Sequence, residues 1–133
     1  MNERVDNFRA TAAVAVQVQG NERNNRIDLA AATAASSAAG GVGNDVYVLG
    51  NGAAVVEIAG EGTDHVEFVG VNGQVTLADN VEALTLMAAA LVANGSGNAL
   101  NNGLVGNNYD NTPAVAMASI RWGRHGRQRR AVR

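Results

Sequence analysis

Apolar residues recur in this chain at one fixed place within nine-residue units. Residues 40–48, GGVGNDVYV, set a stretch of glycine, asparagine and aspartate before a short strand-forming run, with Tyr47 at the eighth place. Residues 59–67, AGEGTDHVE, repeat the pattern with Val66 at that place. Glycine, asparagine and aspartate tolerate the backbone angles of tight turns. Each unit therefore predicts a turn followed by a short strand that buries one side chain.

Three degenerate units begin with Gly-Asn and carry asparagine at the sixth place, namely residues 20–28, 97–105 and 106–114. Their eighth places hold Ile27, Leu104 and a proline, respectively. Two units complete one coil of a solenoid, so turns on one side lie about eighteen residues apart and eighth-place side chains line a narrow interior.

The predicted fold is all-β: a short parallel β-roll or β-solenoid over residues 40–112, with disordered or partly helical flanks. Residues 1–39 are expected to form an irregular segment with one degenerate repeat, and residues 113–133 a disordered basic tail. Within the first flank, residues 29–39, LAAATAASSAA, predict a helix with Asp28 as its N-cap.

Composition and spacing narrow the chemistry of the turns. The chain has 16 glycines, two histidines and no cysteine, so disulfides and thiolate zinc sites are excluded. Backbone carbonyls and the carboxylates of Asp45 and Asp64 are oxygen donors, which suit Ca²⁺ better than zinc or copper. These two aspartates are 19 residues apart, so the repeat predicts a one-residue bulge between them.

Charge divides the chain into an acidic body and a basic tail. Residues 1–120 contain four arginines and 12 acidic residues, a net charge of −8, whereas six arginines lie in the last 13 residues. An acidic body disfavours nucleic acid as a partner. No apolar run is long enough for stable membrane insertion, and the first residues do not resemble a cleaved signal peptide.

Together with the residues downstream, GGVGNDVYV resembles the hemolysin-type calcium-binding nonapeptide of repeats-in-toxin (RTX) proteins. The resemblance continues through VVE at 55–57, GEGTDHV at 60–66, NVEALTL at 80–86 and GNALNNGLVGN at 97–107. It implies a parallel β-roll ordered by Ca²⁺. It also implies a set of metal-binding residues, the aspartates through their carboxylates and the turn glycines in part through their carbonyls: Gly40, Gly41, Gly43, Asp45, Gly60, Gly62 and Asp64.

The same resemblance implies a secreted, extracellular protein in which calcium triggers folding after export. The expected role is calcium binding and not catalysis, and no Ser, His and Asp set stands in a recognisable catalytic context. In this family the repeats accompany a catalytic or cytolytic module, and none is visible in this chain. The chain is therefore expected to be a fragment of such a protein.

Residues 80–95, NVEALTLMAAALVANG, allow two interpretations. Asn80 as an N-cap and Gly95 as a stop predict a helix. The family resemblance favours a strand at 82–86, and this is the preferred prediction.

Three alternatives to calcium binding stay open, namely two other functions and one non-native origin of the chain. Asparagine ladders in the turns would give a structural or adhesive β-solenoid that needs no metal. The arginine-rich tail would make the chain a polyanion binder, with Trp122 as an anchor. The third alternative is that the alanine-rich and arginine-rich flanks are translated out of frame. A run of GGC glycine codons reads as alanine or arginine in the other two frames. The chain would then be a non-native frameshifted fragment.

Overall fold

The computed structural model describes residues 6–50, 53–70, 74–87 and 94–107, together with the backbone of residues 121–123. All regular structure in these residues is short β-strand. In chain order the strands are β1 (Asn7–Arg9), β2 (Gln17–Gln19), β3 (Arg26–Leu29), β4 (Ser37–Ala39), β5 (Val46–Leu49), β6 (Ala54–Val55), β7 (His65–Phe68), β8 (Gln74–Thr76), β9 (Ala83–Leu86), β10 (Asn94–Ser96), β11 (Gly103–Val105) and β12 (Arg121–Gly123).

The strands alternate between two walls of a parallel β-solenoid. The six odd-numbered strands and β12 form one seven-stranded parallel sheet in the order β1-β3-β5-β7-β9-β11-β12, which we call the odd sheet. The other even-numbered strands form the even sheet, which has two parts, β2-β4-β6 and β8-β10. The prediction of an all-β parallel solenoid is confirmed. Paired residues on neighbouring odd strands are 18 to 20 residues apart, which is the length of one coil.

The eighth-place side chains of the described units, Ile27, Tyr47, Val66 and Leu104, lie in the interior of the solenoid. Alternation along a strand sends every second side chain inward, and the register stacks these inward residues coil upon coil. One buried row of the odd sheet contains Ile27, Tyr47, Val66, Leu84 and Leu104. The interior is narrow. A Cβ atom added to Gly95 on the even sheet would lie only 2.7 Å from a methyl group of Leu84.

The even sheet is interrupted between β6 and β8 among the described residues. A cavity of about 320 Å³ lies at this interruption, and its lining includes Val55, Phe68 and Val75. Two successive coils are therefore joined through the odd sheet at this step, whereas their even strands do not pair.

The helix predicted for residues 29–39 is wrong. The first strand of the described residues already starts at Asn7, and the alanine-rich stretch supplies the end of β3, a turn and β4. Asp28 does form a local cap, but its carboxylate accepts the N–H of Ala30 at 3.0 Å in a turn that ends the strand. Ala38 is buried between Val18 and Val55 in register, because the narrow interior at this wall accepts a small side chain.

In the described residues, the one-residue bulge predicted between Asp45 and Asp64 does not interrupt the paired strands. The pairing of β5 with β7 is continuous over four residues, from Val46 with His65 to Leu49 with Phe68. Coils of different length are accommodated in the turns, since nine residues separate β6 from β7 and six separate β4 from β5.

The strand interpretation of residues 82–86 is confirmed, because Ala83–Leu86 form β9 and pair with β7. Most of the basic tail and residues 108–112 lie outside the described residues. Within the tail, Arg121–Gly123 form β12 beside β11. The described part of the chain contains no helix that could cross a bilayer.

We expect the interior row to dominate stability. Leu84→Ala removes a side chain that is 1% exposed and should lower the free energy of unfolding by about 2–5 kcal/mol. Leu100→Ala changes the same residue type at a position that is 38% exposed and should cost less than about 1 kcal/mol. Urea unfolding of both variants checks this, and similar losses would contradict the assignment of Leu84 to the core.

Candidate metal centre

In the described part of the chain, five turns lead from the even sheet to the odd sheet along one edge of the solenoid. They precede β3, β5, β7, β9 and β11. The last residue of each turn directly precedes an odd strand, so the register of that sheet aligns these residues along the solenoid axis. From the first turn to the last they are Asn25, Asp45, Asp64, Glu82 and Asn102.

Acidic side chains at this edge join consecutive coils through hydrogen bonds. The N–H of Asn25 donates to Asp45 Oδ1 at 2.7 Å, and the N–H of Asp45 donates to Asp64 Oδ1 at 2.9 Å. The N–H of Asp64 in turn donates to Glu82 Oε2 at 2.7 Å. Each carboxylate therefore closes the turn of the preceding coil with one of its oxygens and holds the two coils in register.

The glycines predicted as metal ligands lie in the two turns that carry the aspartates. Gly41, Gly43 and Gly60 have φ angles of 93°, 126° and 84°, which residues other than glycine rarely adopt. A Cβ atom at Gly40 would overlap Asp45 Oδ2, and one at Gly62 would overlap the carbonyl oxygen of Gly43. These glycines let the turns approach the carboxylates and each other. Ligation through their carbonyls stays a prediction.

Three buried carboxylates converge where these turns meet. One carboxylate oxygen from each of Asp45, Glu57 and Asp64 lies within 4.8 Å of the others. The two aspartates are 1% exposed and Glu57 is 8% exposed. Asp45 Oδ2 and Glu57 Oε2 are buried and have no hydrogen-bond partner in the described structure. Buried carboxylate oxygens without partners are unfavourable, so this cluster is suited to a cation.

Glu57 was missing from the residues predicted from the sequence. It lies outside the nonapeptide frame, in the segment between β6 and β7. A signal was present in the residues VVEI, because the alternation of β6 continues with Val56 exposed and Glu57 buried. A charged residue at an inward place of a strand pattern is an indication of a functional site.

Burial and mutual repulsion make the cluster resist full ionisation. Burial, together with the nearby carboxylates of Asp64 and Asp45, raises the pKa of Glu57 to about 7. Burial likewise raises the pKa of Asp64 to about 6, although the N–H of Asp45 partly opposes the change. The pKa of Asp45 is also raised, chiefly by burial. A bound cation would reverse these shifts by stabilising the ionised forms.

Asparagine closes the same type of turn without any charge. In the turn before β11, Asn102 Oδ1 accepts the N–H of Asn98 at 2.7 Å, and Asn102 Nδ2 donates to the carbonyl of Val81 at 3.1 Å. In the turn before β3, Asn25 Oδ1 accepts the N–H of Asn21 at 2.9 Å. In these neutral turns the asparagine amides have hydrogen-bond partners within the protein. The central turns differ because Asp45 Oδ2 and Glu57 Oε2 have none.

The donor set of the cluster fits a hard cation. Three carboxylates provide oxygen donors, which are the ligands of Ca²⁺ and Mg²⁺. His65 follows Asp64 directly but lies on the opposite face of the strand, where its Nε2 atom is 2.7 Å from Thr85 Oγ1. The imidazole is therefore directed away from the cluster.

Comparisons of the chain with protein-family models, with curated proteins and with solved structures gave no match. Membership of the RTX family therefore stays a prediction from the sequence. The geometry of Asp45, Glu57 and Asp64 supports a metal centre independently of that resemblance.

The raised pKa values predict that the metal-free fold loses stability as pH rises. Glu57 and Asp64 have ordinary pKa values of 4.5 and 3.8 when exposed, against about 7 and about 6 in the fold. The folded state therefore binds more protons between these values, and the free energy of unfolding falls as pH increases from about 4 to about 7.

Thermal unfolding in the presence of a chelator across this range measures the slope. Glu57→Gln removes one titrating group and keeps an acceptor for hydrogen bonds, so its midpoint should fall less with pH than that of the parent. His65 is present in both proteins and its contribution cancels. Parallel pH dependences would show that Glu57 does not titrate in the cluster.

Proposed function

We propose that the chain binds a calcium ion at the cluster of Asp45, Glu57 and Asp64, and that this binding drives folding of the central coils. The observation that supports it is the pair of buried, unpartnered oxygens, Asp45 Oδ2 and Glu57 Oε2. Each would gain a ligand bond that no protein group supplies.

Charge and donor number favour calcium over magnesium. Asp45 Oδ1, Asp64 Oδ1 and Glu57 Oε1 already accept hydrogen bonds, so each carboxylate retains its second oxygen for an ion. Calcium takes roughly six to eight oxygen ligands in flexible geometry. Further oxygens would come from water or from the carbonyls of Gly40, Gly41, Gly43, Gly60 and Gly62. Magnesium requires a small octahedron of ligands and gives up its water molecules reluctantly. A buried cluster is therefore less suited to magnesium.

Coupling to folding follows from the origin of the ligands. Asp45 belongs to one coil, while Glu57 and Asp64 lead into the next, so the cluster exists only when the two coils stack. An ion that binds the folded state and not the unfolded chain adds its binding free energy to stability. Without the ion, the carboxylates repel one another and oppose stacking.

The biological role that agrees with this coupling is folding on arrival in a calcium-rich compartment. A chain that stays unfolded where calcium is scarce is suited to export, and calcium outside the cell would then order the coils. This role belongs to the proposal that the protein is a secreted one of RTX type.

Removal of one charge from the cluster tests the proposal directly. Asp45→Asn keeps the shape of the side chain but removes a ligand charge, and it should weaken calcium binding at least about tenfold, or about 1.4 kcal/mol. Asp64→Asn should act similarly, and the double variant should lose less than the sum of both effects because the variants disrupt one site. Calorimetric titration at fixed ionic strength measures all three.

Asp79→Asn is the matched control, because it removes the same charge from an exposed aspartate in the next turn. It should bind calcium nearly as well as the parent. Circular dichroism should show that calcium raises the β content more than magnesium does. If Asp45→Asn binds calcium as tightly as the parent, the ligand assignment is wrong, and equal responses to both ions would indicate charge screening.

A metal-independent structural solenoid is the second candidate, and the asparagine turns favour it. Asn102→Ala deletes a buried acceptor and donor and should lower the free energy of unfolding by about 1–3 kcal/mol. Because no ion is involved, we expect the same loss in calcium and in chelator. Native β content of the parent in chelator would favour this second function over calcium-driven folding.

A further inference from the structure

We propose that Tyr47 and Asn80 are positioning residues that hold Glu57 in the cluster from two sides. This inference rests on the proposed calcium site. It adds to that site two residues from outside the glycine-rich turns, neither of which is itself assigned as a ligand.

Tyr47 holds the carboxylate end of Glu57. Its hydroxyl group donates a hydrogen bond to Glu57 Oε1 and accepts the N–H of Gly40 at 2.6 Å. Tyr47 is fully buried in an interior row whose other buried members, Ile27, Val66, Leu84 and Leu104, are aliphatic. A hydroxyl group in this row has to find partners. It does so at the cluster, where it fixes Oε1 of Glu57, while Oε2 stays buried without a hydrogen-bond partner.

Asn80 holds the main chain at Glu57. Asn80 Nδ2 donates to the carbonyl oxygen of Glu57 at 3.0 Å, across 23 residues of sequence. Asn80 has a φ angle of 67° and is the one non-glycine residue with positive φ in the described structure. Asparagine tolerates this left-handed conformation better than most residues. The conformation places the Asn80 amide toward the preceding coil. Asn80 therefore holds Glu57 at its main-chain carbonyl, and Tyr47 holds it at its carboxylate.

These contacts matter because Glu57 lies in a long connection. Nine residues separate β6 from β7, and Val56 and Ile58 on either side of Glu57 are 55% and 65% exposed. The neighbouring side chains therefore do not anchor this segment in the core. The contacts from Tyr47 and Asn80 supply the anchoring that the adjacent residues lack.

A double-mutant cycle distinguishes positioning from a general effect on the fold. The variants are Tyr47→Phe, Glu57→Gln and the two together, titrated calorimetrically with calcium chloride above the pKa of Glu57. Tyr47→Phe should weaken calcium binding about fivefold in the parent, and less than about twofold when Glu57 is already glutamine. Asn80→Gly, which keeps the positive φ and removes the amide, should show the same dependence on Glu57.

The outcomes separate this inference from the function on which it rests. Equal weakening by Tyr47→Phe in both backgrounds would overturn positioning, because the effect would then act through the fold. If Glu57→Gln binds calcium like the parent while Asp45→Asn does not, the calcium site stands and the inference fails. Absence of calcium binding by the parent would overturn both. If Tyr47→Phe does not fold, the Asn80→Gly cycle decides by the same criterion.

Discussion

In the acidic part of the solenoid, the rest of the structure depends on the hydrogen bond from the N–H of the last residue of one turn to a carboxylate of the next coil. At the acidic step, the N–H of Asp45 donates to Asp64 Oδ1. That bond stacks the turns, aligns the strands that follow them and brings buried carboxylates together. Register and site are therefore consequences of the same contact, and a change that separates these coils would remove both.

The chain uses two chemical solutions at one structural position. Asn25 and Asn102 close their turns with a neutral amide that both donates and accepts. Asp45 and Asp64 can only accept when ionised, and the second oxygen of Asp45 is buried without a partner, so a proton or a cation would satisfy it. The asparagine turns lie on either side of the acidic ones. Coils with fixed closure thus flank coils whose closure depends on what the carboxylates bind.

The nine-residue pattern was sufficient to predict the solenoid and the burial of Tyr47 and Val66, because one inward side chain per strand is a local property. Prediction failed for residues 29–39, since alanine favours a helix locally and the width of the interior is known only after the coils stack. Glu57 was missed for a similar reason. Its partners Tyr47 and Asn80 are 10 and 23 residues away, and no local pattern relates them.

The interruption of the even sheet between β6 and β8 has a mechanical consequence. It falls at the step between the coils that contain β5 and β7, which is also the step that the carboxylate cluster spans. Under tension along the solenoid axis, this step lacks main-chain pairing between even strands, so among the described coils it is where we expect the stack to separate first. If an ion is shared by Asp45 and Asp64 as proposed, it would link the two coils at this step and raise the force needed to separate them.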